Sequence, residues 1–505
     1  MQSRQTRWSN LGDLADRSLD QHRVAVIDLR EPDAPRTYSH GAIDAMAMGV
    51  ARQLTEAGFA RGTRIGILSL NRAEVLAAYF GIMRAGLVAV PVNTKLPQET
   101  IDYIVDDAAI AFCFTDAEKR PMVRAGIPLI CFDDSGPQGF AARCPPAAFE
   151  TLTAGPNEIG QMLYTSGSSG RPKGVPLTHA GQLWALSLRN GSQSDRHLVA
   201  QPLFHMNGLM SSKVAFATNA SLVLMPSFEP RRYTRALAEW RVTTVTSLPT
   251  LFARVIKEEA TLAELDFSAL YRIQLGSAPM TLGLLQRIQA TFPSAVVGHG
   301  YASTEAGPGA FGRHPDGLPA PPLSVGHPVP GVEVRLVDGP SEDEGVLMLR
   351  TPALMSGYNN LPEESARVLR DGWYYSGDIM RRDAQGFYHF AGRADDMFVC
   401  SGENIHPGEV EKLLERHPAI QQAAVVPLAD EERSQIPVAF VVLRPAETMT
   451  TEAVKRHTLA GGAAYQHPRR VEFLADLPLA GSSKVDRRAL IDRAARLEAD
   501  GRWSQ

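Results

Sequence analysis

From residue 65 onward the chain alternates short apolar runs with stretches of helical spacing, and this alternation limits the folds open to it. Residues 65–70 are apolar, 73–84 carry apolar side chains at helical intervals, and 87–92 are apolar again, with Pro91 near the end. Such a unit reads as strand, helix, strand. The rhythm recurs. Strands are expected at 110–115, 128–132, 198–201, 221–225, 242–247, 271–275 and 295–298, and helices at 179–189, 233–240, 251–258 and 282–290. Alternation of this kind implies α/β layers around largely parallel sheets. Between residues 331 and 349 the texture changes to short strands and turns, a small β-rich subdomain. After Gly392 the rhythm restarts, with helices at 407–416, 452–459 and 487–497 and strands at 421–426, 438–443 and 470–474. The expected fold class is α/β. A large N-terminal domain of layered α/β subdomains plus a β-rich subdomain takes residues 1–394. A small, mobile C-terminal α+β domain takes residues 395–505. A chain of 505 residues is long enough for this division at about 150 residues per domain.

Charge and cysteine content exclude several classes. Lys and Arg number 51 against 55 Asp and Glu, a net charge of -4, so no basic field points to nucleic acid or to membrane lipid. The four cysteines, Cys113, Cys131, Cys144 and Cys400, form no C-x-x-C pair and no disulfide framework. The first 23 residues lack the apolar core of a signal peptide. The most apolar early stretch, 76–92, is interrupted by Gly81, Arg84, Gly86 and Pro91 and does not read as a membrane span. A cytoplasmic protein is expected.

The most informative segment is Leu163-Tyr164-Thr165-Ser166-Gly167-Ser168-Ser169-Gly170-Arg171-Pro172-Lys173-Gly174. Glycines let a backbone turn back and bring its N–H groups close to a ligand. The hydroxyls of Thr165, Ser166, Ser168 and Ser169 add donors, and Lys173 adds a compact charge suited to phosphate oxygens. The spacing is not that of a Walker A loop. An apolar strand enters, Pro-Lys-Gly exits, and a helix is expected from His179. Further on stand Gly276-Ser277-Ala278-Pro279, Gly300-Tyr301-Ala302-Ser303-Thr304-Glu305, Trp373-Tyr374-Tyr375-Ser376-Gly377-Asp378, Gly392-Arg393-Ala394-Asp395-Asp396, Ser401-Gly402-Glu403-Asn404 and Gly481-Ser482-Ser483-Lys484. Singly, each reads as a turn or a helix start.

Together and in this order, the motifs resemble those of the AMP-forming ligases: acyl- and aryl-CoA synthetases, adenylation domains and firefly luciferase. The first segment meets every position of that family's [YF]-T-S-G-[ST]-[ST]-G-x-P-K-G pattern. The resemblance covers almost the whole chain. It implies that Thr165, Ser166, Gly167, Ser168, Ser169, Gly170 and Lys173 hold the phosphates of ATP. Gly276, Ser277 and Ala278 floor the adenine and acyl sites, and Tyr301, Ala302 and Ser303 flank them, with Tyr301 packed on adenine. Thr304 meets phosphate, and Glu305 holds Mg²⁺. Asp378 takes the ribose hydroxyls, Arg393 contacts ribose or phosphate, and Gly402 lines the pantetheine tunnel of coenzyme A. Asp395 is the pivot of the small domain, and Lys484 is the catalytic lysine. Three positions depart from the family pattern. Ala302 replaces a glycine beside the acyl pocket, and Ala480 and Ser483 alter the lysine loop. His205, in Pro202-Leu203-Phe204-His205-Met206-Asn207-Gly208, resembles the family's channel histidine.

The implied reaction is adenylation of a carboxylic acid by Mg-ATP, then thioester formation with CoA. The alternative acceptor is a separate acyl-carrier protein. Segments 202–210, 276–278 and 300–302 are expected to build the acid pocket. Phe204, Met206 and Met210 favour an aromatic or a medium-to-long fatty acid, and no basic residue there marks a place for a second carboxylate. Partners are thus a small acid and CoA, with no nucleic acid, no membrane span, and a homodimer allowed for.

Overall fold

The computed structural model describes residues 8–166, 171–278, 280–394, 396–400, 403–430, 433–462, 464–480 and 484–504. Two largely parallel sheets carry the first half. The six-stranded sheet runs in the order Leu129–Cys131, Ile110–Thr115, Arg64–Leu68, Val88–Pro91, Ile159–Ser166, Pro172–Thr178. All its pairs are parallel except the last. The seven-stranded sheet runs Val296–Gly300, Arg272–Gly276, Thr244–Ser247, Arg196–Val199, Ser221–Leu224, Val24–Asp28, Arg36–Ser39. Only its Val24–Asp28 and Arg36–Ser39 edge pair is antiparallel. This is the α/β layering expected from the alternation, and the helix Ala73–Arg84 has the bounds its spacing predicts.

Three differences have physical causes. The segment Pro172–Thr178 is a strand rather than a loop leading to a helix. It pairs back on Ile159–Ser166, with Val175 and Leu177 turned into the core. The Thr178 hydroxyl then accepts from the Gly181 amide and starts the helix His179–Ser187. The helix Met206–Ala217 was not anticipated, because it is buried on nearly every side and so carries no amphipathic stripe. The β-rich region is larger than residues 331–349. It is an antiparallel seven-stranded sheet reaching from Phe311–Gly312 to Tyr388–Arg393.

Beyond it, five strands between Phe398–Cys400 and Arg470–Phe473 form a separate sheet. The helices Pro407–Glu415 and Arg487–Asp500 pack on it. This last region has its own apolar cluster, including Ile405, Leu414, Val425, Phe440 and Leu490. The four cysteines are buried and free. Among the described residues no helix is long and apolar enough to cross a membrane.

A polar chain runs through the core beneath the Met206–Ala217 helix. The Tyr79 hydroxyl donates to Gln161 Oε1. Gln161 Nε2 donates to Gln182 Oε1 at 3.3 Å, and Lys213 Nζ donates to the same oxygen at 3.1 Å. Lys213 is 0% exposed, and burial lowers its pKa to about 7. The folded state therefore binds fewer protons than the unfolded chain between about pH 7 and the free lysine value near 10.4, and stability contributed at this site rises with pH through that window. Lys213→Met should therefore be more stable than wild type. Its advantage should be largest below pH 7 and shrink above it by at most about 1.4 kcal/mol per pH unit. Urea unfolding at pH 6.5, 8 and 9.5 checks this. An advantage that does not change with pH would mean that Lys213 stays charged in the fold.

Candidate functional site

A cleft of about 2070 Å³ lies outside the C-terminal ends of the strands Arg272–Gly276 and Val296–Gly300. That is where open parallel sheets bind ligands, because the chain leaves each strand there in a loop. The two strands pair with Gly276 opposite Gly300. They deliver Ser277 and Ala278 on one side and residues 301–305 on the other. Ser277 holds φ of 64°, a left-handed backbone that a non-glycine residue adopts at a cost. Past Tyr301, a two-residue ladder pairs Ala302 with Pro308 and Ser303 with Gly307, and the Ser303 hydroxyl accepts from the Ala306 amide at 2.9 Å. This tight return leaves Ala302, Ser303, Thr304 and Glu305 lining the cleft.

The β-rich sheet meets them from the other side. Asp378 and Arg393 are register partners on adjacent strands. Arg393 Nη1 donates to Asp378 Oδ1 at 2.9 Å, and the Tyr301 hydroxyl donates to Oδ2 at 2.5 Å. Burial pushes the Asp378 pKa up, and Arg393 and the Tyr301 hydrogen bond pull it down. Gly377 has φ of +72°, and a Cβ there would stand 3.0 Å from Arg393 Nη2. Glu305 accepts from the Tyr358 hydroxyl at 3.1 Å, and burial raises its pKa. Among the described residues no group of three His, Cys, Asp or Glu side chains could hold a metal ion by itself.

The lysine loop enters from the last region. Ala480 N donates to the Lys484 carbonyl at 2.7 Å, and Leu479 bridges Val485. These contacts close the base of the loop. Arg487 anchors it to Glu411 at 2.8 Å and to Asp396 at 3.4 Å. The Lys484 side chain projects toward Asp378 and Glu305. Burial lowers its pKa, Asp378 and Glu305 oppose that, and Arg393 adds to it. His205 precedes the first turn of the Met206–Ala217 helix, its ring edge-on to Phe204 at 4.7 Å. Burial, then Lys484 and Lys95, lower its pKa to about 4, so the imidazole is neutral near pH 7. Its Nε2 is buried without a hydrogen-bond partner.

The phosphate-loop residues divide. Thr165 and Lys173 are register partners beside the segment that joins the two strands of a hairpin, followed by Ser166 opposite Pro172. Lys173 does not stand free. It donates to Glu364 Oε2 at 2.7 Å and lies 5.1 Å above the Tyr358 ring. Gly167, Ser168, Ser169, Gly170, Asp395 and Gly402 lie outside the described residues. Tyr358 and Glu364 were missed by sequence reasoning. Neither sits in a motif, and only the fold brings them to Glu305 and Lys173.

Comparison with known proteins identifies the family. The sequence pattern of the AMP-binding enzyme family matches residues 16–359, and that of the AMP-binding enzyme C-terminal domain matches residues 409–484. The chain belongs to the AMP-binding enzyme family, as an AMP-forming acid–thiol ligase that uses ATP. A feruloyl-CoA synthase from Amycolatopsis sp is 31% identical over 448 residues, 86% of this chain and 90% of that protein. The fatty acid–[acyl-carrier-protein] ligase ScoC of Streptomyces coeruleorubidus is 29% identical over 496 residues, 92% of this chain and 94% of that protein. The anthranilate CoA ligase AuaEII, solved with anthranoyl-AMP, superposes with a TM-score of 0.86 at 27% identity, covering 97% of this chain and 98% of that one.

For Lys173 to reach a triphosphate it must leave Glu364. Glu364→Gln weakens the competing ion pair and should tighten ATP binding by roughly two- to five-fold, the worth of a partly exposed pair. Calorimetric titration with ATP measures it. Unchanged or weaker binding would show that Lys173 does not exchange partners.

Proposed function

We propose that this chain joins a hydrophobic carboxylic acid to coenzyme A in two steps. ATP first converts the acid to an acyl adenylate with release of pyrophosphate, and the CoA thiol then displaces AMP. The observation that carries this reading is the convergence of Tyr301, Glu305, Asp378, Arg393 and Lys484 on one cleft, from three separately packed regions. Attack of a carboxylate on the α-phosphorus brings anions together, so the site must neutralise charge as it develops. Lys484 supplies an ammonium beside that position, and Lys173 with residues 165–170 cradles the outer phosphates. Asp378 receives the ribose hydroxyls while Tyr301 packs on adenine. Thr304 donates to phosphate, and neutral His205 borders the acyl channel without adding charge.

Glu305 fits a magnesium ion. It is one desolvated carboxylate at the phosphate side of the cleft, and Mg²⁺ is bound through one or two carboxylates plus phosphate oxygens. When bound there, Mg²⁺ would neutralise phosphate charge. The acid is bounded by the buried side chains of Phe204, Met206 and Met210, which supports an aromatic or fatty body. Lys484 over the phosphates and the pantetheine arm cannot share one face of the cleft. We therefore assign residues 1–394 and 395–505 to two units that turn about Asp395, bringing Gly402 to the pantetheine. Cytoplasmic location accords with four buried, reduced cysteines. A homodimer is checked by light scattering.

The deciding experiment mixes enzyme, Mg-ATP and a pool of benzoates, cinnamates and fatty acids, with and without CoA, and reads products by mass. Acyl-CoA and AMP together, only with CoA, support the reading. Acyl-AMP that builds up unchanged by CoA would shift it to loading of a carrier protein, as the name of ScoC states for that relative. Lys484→Ala should slow adenylation about 10²-fold or more, while transfer from a supplied acyl-AMP to CoA falls far less. Asp395→Pro should spare adenylation and damage thioester formation. Equal loss of both half-reactions in either variant would remove the role assigned to it.

A further inference from the structure

The acid pocket has apolar walls but a polar floor. Strand register sets His197, Thr244 and Arg272 in one row across three neighbouring strands, and Thr246, Gln274 and Gly298 in the next. Paired residues share a face and successive residues alternate, so both rows lie on one side of the sheet. The other side carries Leu198, Val245, Ile273 and Leu275 in the core. A parallel sheet covered on both faces is normally apolar on both. Here one face is polar and lines the cleft. At about 3.3 Å per residue, the two rows lie about 7 and 13 Å below Gly276, the level of the reacting carboxylate.

Among the described residues these groups are incompletely partnered, His197 most plainly. Gln274 occupies the space that side chains at Gly298 and Gly300 would need, with a Cβ there meeting it at 2.5 and 2.8 Å. His197 Nε2 is buried without a hydrogen bond. Arg272 Nη1 reaches the Asn190 carbonyl at 3.5 Å. The residue before Asn190 is Arg189, which also lines the cleft. Its Nε is buried and unpartnered, and among the described residues no carboxylate pairs with its guanidinium. Arg189 Nη2 lies where a Cβ on Gly309 would come within 2.5 Å, and Gly309 follows the Pro308 that pairs with Ala302. The guanidinium thus runs from the floor toward the flank of the acyl site. A largely buried cation without a counter-ion is costly. The methyl end of a fatty chain would leave it so.

We propose that the acid carries a second carboxylate at its far end, received by Arg189 above the polar floor. This rests on the ligase reading above and narrows its substrate. Arg suits the task because its planar fork meets a carboxylate with two hydrogen bonds. The hydrophobic body then lies between the two carboxylates, against Phe204, Met206 and Met210.

The test measures binding before chemistry. Full-length enzyme with a non-hydrolysable ATP analogue is titrated calorimetrically with two matched pairs: suberate against octanoate, and 4-carboxycinnamate against cinnamate. In at least one pair the diacid should bind about ten-fold tighter or more, Arg189→Met should remove that preference, and Arg189→Lys should keep part of it. The proposal is overturned if neither pair shows a diacid preference in wild type, or if Arg189→Met weakens both members of a pair alike. The wild-type comparison stands even if Arg189→Met does not fold. Because these readouts need no turnover, failure to form AMP or acyl-CoA counts against the ligase reading and leaves the diacid result to decide this one.

Discussion

Asp378 is the joint on which the site depends. One carboxylate oxygen accepts from Arg393 of the β-rich sheet, and the other accepts from Tyr301, which leaves the parallel sheet. Two separately packed layers are thereby held in register at the level where a nucleotide would lie. The arrangement also sets the electrostatics. Burial would neutralise Asp378, but the guanidinium and the phenol hold a lowering influence against it. Lys484 approaches this balanced pair rather than a bare carboxylate.

Legibility in the sequence followed the range of the forces involved. The strand–helix alternation is local, and most strands of both parallel sheets fell where the apolar runs lie. Motif residues on or just after strands, such as Gly276, Tyr301, Asp378 and Arg393, were likewise found together at the cleft. What depends on tertiary surroundings was not readable. The Met206–Ala217 helix is buried all round and shows no period. The Pro172–Thr178 strand exists because Ile159–Ser166 offers it an edge. Lys173 was readable as a phosphate-seeking cation, but its pairing with Glu364 joins residues 191 positions apart. Arg189 carries no motif at all. Its Nε is buried and finds no partner among the described residues.

The last region is attached to the rest in a way that suits the proposed turning. Three of the contacts that join it to the rest are polar. Lys257 meets Asp476 at 3.0 Å, Arg381 meets Glu409 at 2.8 Å, and Lys412 donates to the Phe390 carbonyl at 2.9 Å. Exposed ion pairs are worth about 0–1 kcal/mol each, so such an interface is held lightly. The apolar cluster within the region is by contrast continuous, and Arg487 ties the lysine loop to Glu411 inside it. A body that is firm within and weakly attached outside can turn without unfolding, as the proposed exchange between half-reactions requires. An apolar seam of the same area would resist that exchange by holding the region in a single pose.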